Sequence, residues 1–214
     1  MRQRSVKNRE EKIRECSRWQ AEDPASFKGN WARQFANPDA PIFIEIGSGK
    51  GKFICETAAA HPENNYIAAE GGTNIAVRIL QKARDMQLDN LLVITSYIED
   101  VRDIFSEDEL SGVFINFCDP WPKDRHYKRR LTYRERLDGY SAVSRKGAVL
   151  QLKTDNDALF DFSLEEIRSR GLKFKWVTRA LHSSPYAENN ICTEYEEKFS
   201  ASGKNINGLQ VFLR

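Results

Sequence analysis

One short segment of this chain, Glu45-Ile46-Gly47-Ser48-Gly49-Lys50-Gly51, sets three glycines at alternate positions directly after an apolar run, Ile42 to Ile46. Glycines there permit a tight turn and let a ligand approach the backbone closely. A helix that follows such a turn offers free N–H groups beside it. A second acid, Glu70, closes the next β-rich run, Asn65 to Glu70. A carboxylate at that place can accept hydrogen bonds from the two hydroxyls of a ribose. This pair suits nicotinamide dinucleotides as well as S-adenosylmethionine, and two details favour the second. The spacing is G-x-G-x-G and not the dinucleotide G-x-G-x-x-G, and Glu45 would serve a cationic amino-acid group better than a pyrophosphate.

A third candidate stretch is Asn116-Phe117-Cys118-Asp119-Pro120-Trp121-Pro122-Lys123, after the apolar Val113-Phe114-Ile115. An acid at the carboxyl end of a central strand lies over the ligand crevice of an open α/β sheet. Pro120 and Pro122 stiffen the loop. Trp121 offers a flat face on which a base could stack, or else a core anchor. Arg125, His126, Tyr127, Lys128, Arg129 and Arg130 follow. Four cations with a tyrosine among them suit phosphate contacts, although such a run can also be only a solvated face.

These residues need a scaffold that brings them to one edge, and the pattern supplies it. Short β-rich runs at Ile42–Ile46, Asn65–Glu70, Leu91–Thr95, Val113–Phe117, Ala148–Leu152, Lys173–Val177 and Leu209–Leu213 alternate with helical spacing over Lys52–His61, Ile75–Met86, Leu131–Val143 and Asp157–Arg170. Alternation of this kind implies a mostly parallel sheet with helices on both faces. Residues 3–20 are charged, with Val6, Ile13 and Trp19 among them, and read as a partly amphipathic helix or an arm; residues 21–40 carry turn signals. The expected organisation is one catalytic domain over 1–214, with 1–40 as an N-terminal extension and 41–214 as the core.

The 214 residues carry 33 basic and 31 acidic side chains, a net charge of +2. A near-neutral total leaves room for a nucleic-acid partner, because a local basic patch decides. Two stretches are locally basic: the N-terminus, with Arg2, Arg4, Lys7, Arg9, Lys12, Arg14 and Arg18, and Lys123 to Arg136. Cys16, Cys55, Cys118 and Cys192 show no C-x-x-C pairing, so neither a metal site nor a redox pair is expected. No segment reaches the length of a membrane span. The expectation is a cytoplasmic protein, with no membrane or metal partner, as a monomer or homodimer.

Taken together, five blocks resemble the tRNA (guanine-N7-)-methyltransferase family of bacterial type: Glu45 to Gly51, Asn116 to Lys123, Arg125 to Thr132, Lys153-Thr154-Asp155-Asn156, and Thr193 to Phe199. Phe27 to Trp31 and Met1 to Arg4 extend the resemblance over nearly the whole chain. It implies a Rossmann-like class I S-adenosylmethionine-dependent methyltransferase with an antiparallel last strand. The implied reaction is methyl transfer to N7 of a guanine in the tRNA variable loop. It assigns Glu45, Gly47, Gly49, Glu70, Tyr97 and Asp119 to the cofactor, and Asp119 to catalysis, stabilising the base and its developing positive charge. Lys123, Asp155, Thr193, Glu194, Tyr195 and Glu196 match substrate contacts, and Arg125 to Arg130 match the RNA-contact stretch. Tyr97 departs from the family, which carries an acid or amide there, and Gly71-Gly72 is unusual beside it. Thr193 with Glu196 also reads as a helix capping box. Three alternatives stand beside this reading: a methyltransferase for an exocyclic amino group, an NAD-dependent enzyme, and an RNA-binding protein without catalysis.

Overall fold

Residues 7–200 and 203–214 are described by the structure, a computed structural model. Met1 to Arg4, to which the resemblance extends, and the apolar Val6 lie outside the described residues. Seven strands form a single sheet: β1 (Ile42–Ile46), β2 (Asn65–Ala69), β3 (Leu91–Ile94), β4 (Leu110–Asn116), β5 (Ser144–Thr154), β6 (Phe174–Thr178) and β7 (Asn207–Phe212). Their spatial order is β3-β2-β1-β4-β5-β7-β6. β1 to β5 pair in parallel, and β7 runs antiparallel between β5 and β6. The chain reverses direction across the sheet between β1 and β4, so the crevice opens beyond the carboxyl ends of those two strands.

The helices are α1 (Arg9–Glu15), α2 (Lys52–Ala60), α3 (Thr73–Asp85), α4 (Arg134–Val143), α5 (Asp157–Ser169) and α6 (Glu194–Ser200). Alternation along β1 explains the two cores. Ile42, Ile44 and Ile46 enter one cluster with Leu137, Tyr140, Phe160 and Ile167 of α4 and α5. Phe43 faces the other, with Phe53 and Ile54 of α2 and Ile79 and Leu80 of α3. Among the described residues no helix is long and apolar enough to cross a membrane.

Several boundaries differ from those expected. The helix expected from Leu131 starts at Arg134, because Arg130 to Tyr133 form a turn closed by Tyr133 N–H on the Arg130 carbonyl (3.0 Å). Strand β5 begins at Ser144, not Ala148, and the register shift opposite Leu110/Gly112 absorbs the extra residues. The N-terminal extension is docked from α1 onward. The indole N–H of Trp19 donates to the Leu88 carbonyl (2.8 Å), and Gln20 bridges Val93 at the sheet edge. Trp31 is fully buried and donates to the Ile104 carbonyl (2.7 Å), while Glu109 accepts from the backbone of Gly29 (2.9 Å) and Trp31 (3.2 Å).

Candidate active site

The glycine turn leaves β1 and is pinned to the end of β2. The Gly47 and Ser48 N–H groups donate to the Ala69 carbonyl (2.8 and 3.1 Å), and the Ser48 hydroxyl donates to the Glu45 carbonyl (3.0 Å). Gly47 and Gly49 have positive φ (80° and 55°), and a Cβ on either would meet open space, so the turn is an uncovered cradle. Gly51 differs: a Cβ there would lie 2.8 Å from Ile79, so its absence lets α2 and α3 close together. Glu70 faces the cradle. Its carboxylate accepts from Gly49 N–H (3.0 Å) and Gly72 N–H (2.8 Å), which leaves lone pairs for further donors.

Glu45 is the least usual group of the site. Its side chain is 2% exposed at the end of β1. One oxygen accepts from the Asn116 amide (2.8 Å), and the other, Oε2, has no partner. Burial pushes its carboxyl up to about 7; the hydrogen bond from Asn116 and the charge of Lys153 hold it back from going further. An orphaned carboxylate oxygen beside an open glycine cradle calls for a cationic donor. The residues present therefore fit S-adenosylmethionine: Glu45 toward the ammonium end, Gly47 and Gly49 beneath, and Glu70 toward the ribose.

The loop after β4 is strained. Phe117 (φ 51°) and Trp121 (φ 43°) adopt left-handed backbone, which costs a non-glycine residue roughly 1–3 kcal/mol. Two clamps hold it. Phe117 N–H donates to the Lys153 carbonyl (2.8 Å). The Arg130 guanidinium donates to the carbonyls of Pro120 and Trp121 (3.1 Å each) and lies 4.3 Å over the Phe162 ring. Asp119 sits exposed at the crest of this loop. Glu70 is raised mainly by burial, its two backbone N–H partners lower it, and the charge of Asp119 adds to the rise. The two carboxylates are thus close enough for each to feel the other's charge. Burial pushes the Cys118 thiol to about 12, which suits packing and not thiolate chemistry.

Trp121 is half-buried, so it is not a core anchor. Its ring meets His126 edge-on (5.7 Å) and carries the Arg129 guanidinium at 4.9 Å. Arg125 to Arg129 form a short 3-10 turn, Asp124–Arg129, with Arg125, Tyr127, Lys128 and Arg129 exposed. Arg130 departs from the expected RNA-contact role: its guanidinium is turned inward onto the loop it supports.

The second wall comes from the end of β5 and from α6. Asp155 accepts from Lys204 (2.5 Å), Glu194 pairs with Lys82 (2.6 Å), and Lys123 is exposed. Tyr195 stacks on Phe199 (4.1 Å) and leans on Phe117 (5.1 Å). Thr193 and Glu196 make the capping box, with Glu196 N–H on the Thr193 hydroxyl (2.9 Å) and Thr193 N–H on the Glu196 carboxylate (3.3 Å). Glu196 is 0% exposed, and Lys153, itself 1% exposed, donates to it at 2.7 Å. Asn190 (2.6 Å) and His182 (2.9 Å) take up its other oxygen. The expected substrate contact by Glu196 is therefore corrected: in this arrangement its carboxylate is used up in holding α6. His182, Cys192 and Glu196 bring ligand-type atoms within 4.8 Å of one another, but Glu196 already answers to Lys153.

Sequence reasoning gives no role to two supporting residues, Asn116 and Lys153, and reads Arg130 for RNA contact and not for support of the loop. Lys153 carried a signal, a lysine directly following the apolar run Ala148 to Leu152, which demands a buried partner.

Comparisons with known proteins bear on the family and the fold of this chain. A family model described as "Putative methyltransferase" matches residues 39–209. A tRNA (guanine-N(7)-)-methyltransferase of Exiguobacterium sibiricum is 45% identical over 184 residues, covering 86% of this chain and 85% of that protein. One of Bacillus cytotoxicus is 43% identical over 196 residues, covering 92% and 89%. Among solved structures, the 16S rRNA methyltransferase KamB superposes with a TM-score of 0.61 at 15% identity, covering 80% of this chain and 87% of that one, which speaks to fold alone.

Proposed function

This chain belongs to the tRNA (guanine-N7-)-methyltransferase family, and on that premise we propose that it methylates N7 of a guanine in the tRNA variable loop, using S-adenosylmethionine. The observation that carries the reading is the meeting of Glu45, Glu70 and Asp119 at the carboxyl ends of three adjoining strands, β1, β2 and β4, around an open glycine cradle.

When present, S-adenosylmethionine supplies an electrophilic methyl group on a sulfonium. Guanine N7 carries an in-plane lone pair and no proton, so this chain needs no general base. Its work is alignment within about 3–3.5 Å and electrostatics. Positive charge grows on the purine ring as N7 is methylated. Asp119, exposed on a clamped and strained loop, can accept from the base's N–H groups and face that charge. Glu45 and Glu70 hold the cofactor's two polar ends. Asp155 and Glu194, ion-paired at the rim with Lys204 and Lys82, can share in holding the base. A guanine must leave its stack to reach this pocket, at a cost of a few kcal/mol. Arg125, Lys128 and Arg129 beside Trp121 offer phosphate and stacking contacts that offset it. A protein acting on tRNA fits the cytoplasm, and the whole chain reads as one catalytic domain with a docked N-terminal extension.

Asp119→Asn tests the assignment, because it keeps shape and removes charge. At saturating tRNA the turnover should fall on the order of a hundredfold or more. Near-normal turnover would remove Asp119 from the mechanism. Identifying the product as N7-methylguanosine, and not an exocyclic methylamine, separates this reading from the amino-group methyltransferases.

A further inference from the structure

The sheet face that carries Glu45, Asn116 and Lys153 continues below them. Side chains alternate along a strand, so Phe43, Phe114 and Gln151, each two residues earlier on β1, β4 and β5, share that face. Phe114, Gln151, Gln210 and Trp176 stand in register across β4, β5, β7 and β6, one row over four strands. The row floors a cavity of about 530 Å³, walled by α2 and by the segment 181–191. That volume lies within the range of about 300–1,000 Å³ usual for ligand sites.

Its lining combines three chemistries. Aromatic rings stand at both ends. Phe43 stacks on Tyr66 (5.7 Å) and Phe114 (5.8 Å), and it leans over Gly112, where a Cβ would fall 2.8 Å from its ring. At the β6 end Trp176 and Tyr186 stack at 4.3 Å. Between the two ends the Gln210 amide donates to the Gln151 side-chain oxygen (3.0 Å). That bond leaves one amide donor and one carbonyl acceptor side by side, and reversing both amides keeps the couplet. The third element is Lys175. A register shift between Phe174 and Trp176 lets it line the cavity together with Trp176, its neighbour on the strand. Lys175 is exposed and makes no ion pair among the described residues.

We propose that this cavity takes a second unstacked base of the RNA substrate, held while the target guanine is at the catalytic edge. This rests on the tRNA reading above. An apolar occupant would leave the glutamine couplet without partners, and a wholly polar one would leave the rings without a face to cover. A nucleobase answers both, with a π-face for the rings and a donor–acceptor edge for the couplet, and its phosphate suits Lys175. Every base has such a face, so the site tolerates sequence. Continuity with the catalytic edge favours RNA over a free ligand. Lys153 lines the cavity and donates to the Ile191 carbonyl (2.8 Å) and to Asn190 (3.1 Å). The outer wall therefore runs straight into α6 and Tyr195.

The test is ultraviolet cross-linking of unmodified tRNA to the full chain, followed by mass mapping of peptides. Nucleotide adducts should appear on Trp176 or Tyr186. Tyr186→Ala should weaken tRNA binding roughly tenfold, and Lys175→Ala about threefold, with Lys175→Arg near the parent. S-adenosylhomocysteine should bind all three variants within about twofold of the parent. Loss of that binding in step with tRNA would mark a folding defect, and the cross-link in the parent then decides. No adduct on Trp176 or Tyr186, or undiminished tRNA affinity in both alanine variants, would overturn the proposal and leave the tRNA reading intact. Guanosine monophosphate that cross-links there and is not displaced by tRNA would assign the cavity to a free nucleotide and overturn it equally. No tRNA binding by the parent chain would overturn both readings.

Discussion

Replacing Lys153 by methionine keeps the buried stem and removes the charge. The ammonium donates to Glu196 Oε2 (2.7 Å), the Ile191 carbonyl (2.8 Å) and Asn190 Oδ1 (3.1 Å), and it lies 4.8 Å over the Phe53 ring. Methionine fills the volume but leaves a fully buried carboxylate without its counter-charge. Breaking such a pair from one side costs about 3–5 kcal/mol. For a chain of this size that corresponds to a fall in Tm of roughly 6–20 °C. The pH dependence gives the reasoning a second check. In the parent, burial pushes Glu196 up, but the charge of Lys153 and the hydrogen bonds from Lys153, Asn190 and Thr193 outweigh it, and its carboxyl titrates below its ordinary range. Its contribution is present above the ordinary carboxylate pKa and is lost as pH falls through the lowered one. In Lys153→Met the same carboxyl is raised, so the variant gains on acidification relative to the parent. Urea denaturation at neutral pH and near pH 4 should therefore show a deficit of several kcal/mol that shrinks at the lower pH. A deficit under about 1 kcal/mol, or one that does not change with pH, would refute the assignment of Lys153 as the anchor of α6. Adding Glu196→Leu to Lys153→Met should restore much of the stability.

Glu45, raised by burial to about 7, must shed its proton to meet a cationic amine, so cofactor affinity should fall by up to about tenfold per pH unit below 7. Calorimetry near pH 6 in buffers of differing ionisation enthalpy should detect a proton released on binding, and Glu45→Gln should abolish it. Arg129→Ala should weaken tRNA binding and reduce the magnitude of its salt slope by about one, as removal of a phosphate contact does. Arg130→Ala should instead lower turnover at saturating tRNA, because it frees the Pro120 and Trp121 carbonyls that it clamps; steady-state kinetics at varied tRNA and salt would separate the two.

The legible features were those written in periodicity and in single unusual residues. The alternation of β-rich and helical runs anticipated a mostly parallel sheet, and the antiparallel β7 matches the last strand implied by the resemblance. Glu45 is the penultimate residue of β1, and Glu70 and Asp119 follow β2 and β4, so strand ends alone suffice to group them. Long-range side-chain economy was less visible. Glu196 reads as a site residue from its neighbours in sequence, yet its partner, Lys153, lies on β5, distant along the chain. Arg130 reads as one more cation in a basic run, and its inward turn is visible only in its hydrogen bonds to the Pro120 and Trp121 carbonyls and its place over Phe162. Gly71-Gly72 looked merely unusual because what it accommodates, the Tyr97 ring and the Glu70 carboxylate, depends on packing at the edge of the sheet.

Methyl transfer from labelled S-adenosylmethionine to unmodified tRNA, run in parallel with the same tRNA lacking its variable-loop guanine, tests the central claim most directly. The account predicts label recovered as N7-methylguanosine in the first and none in the second. Transfer that persists without that guanine would contradict the site, and no transfer to any tRNA by the folded protein would contradict the reaction itself.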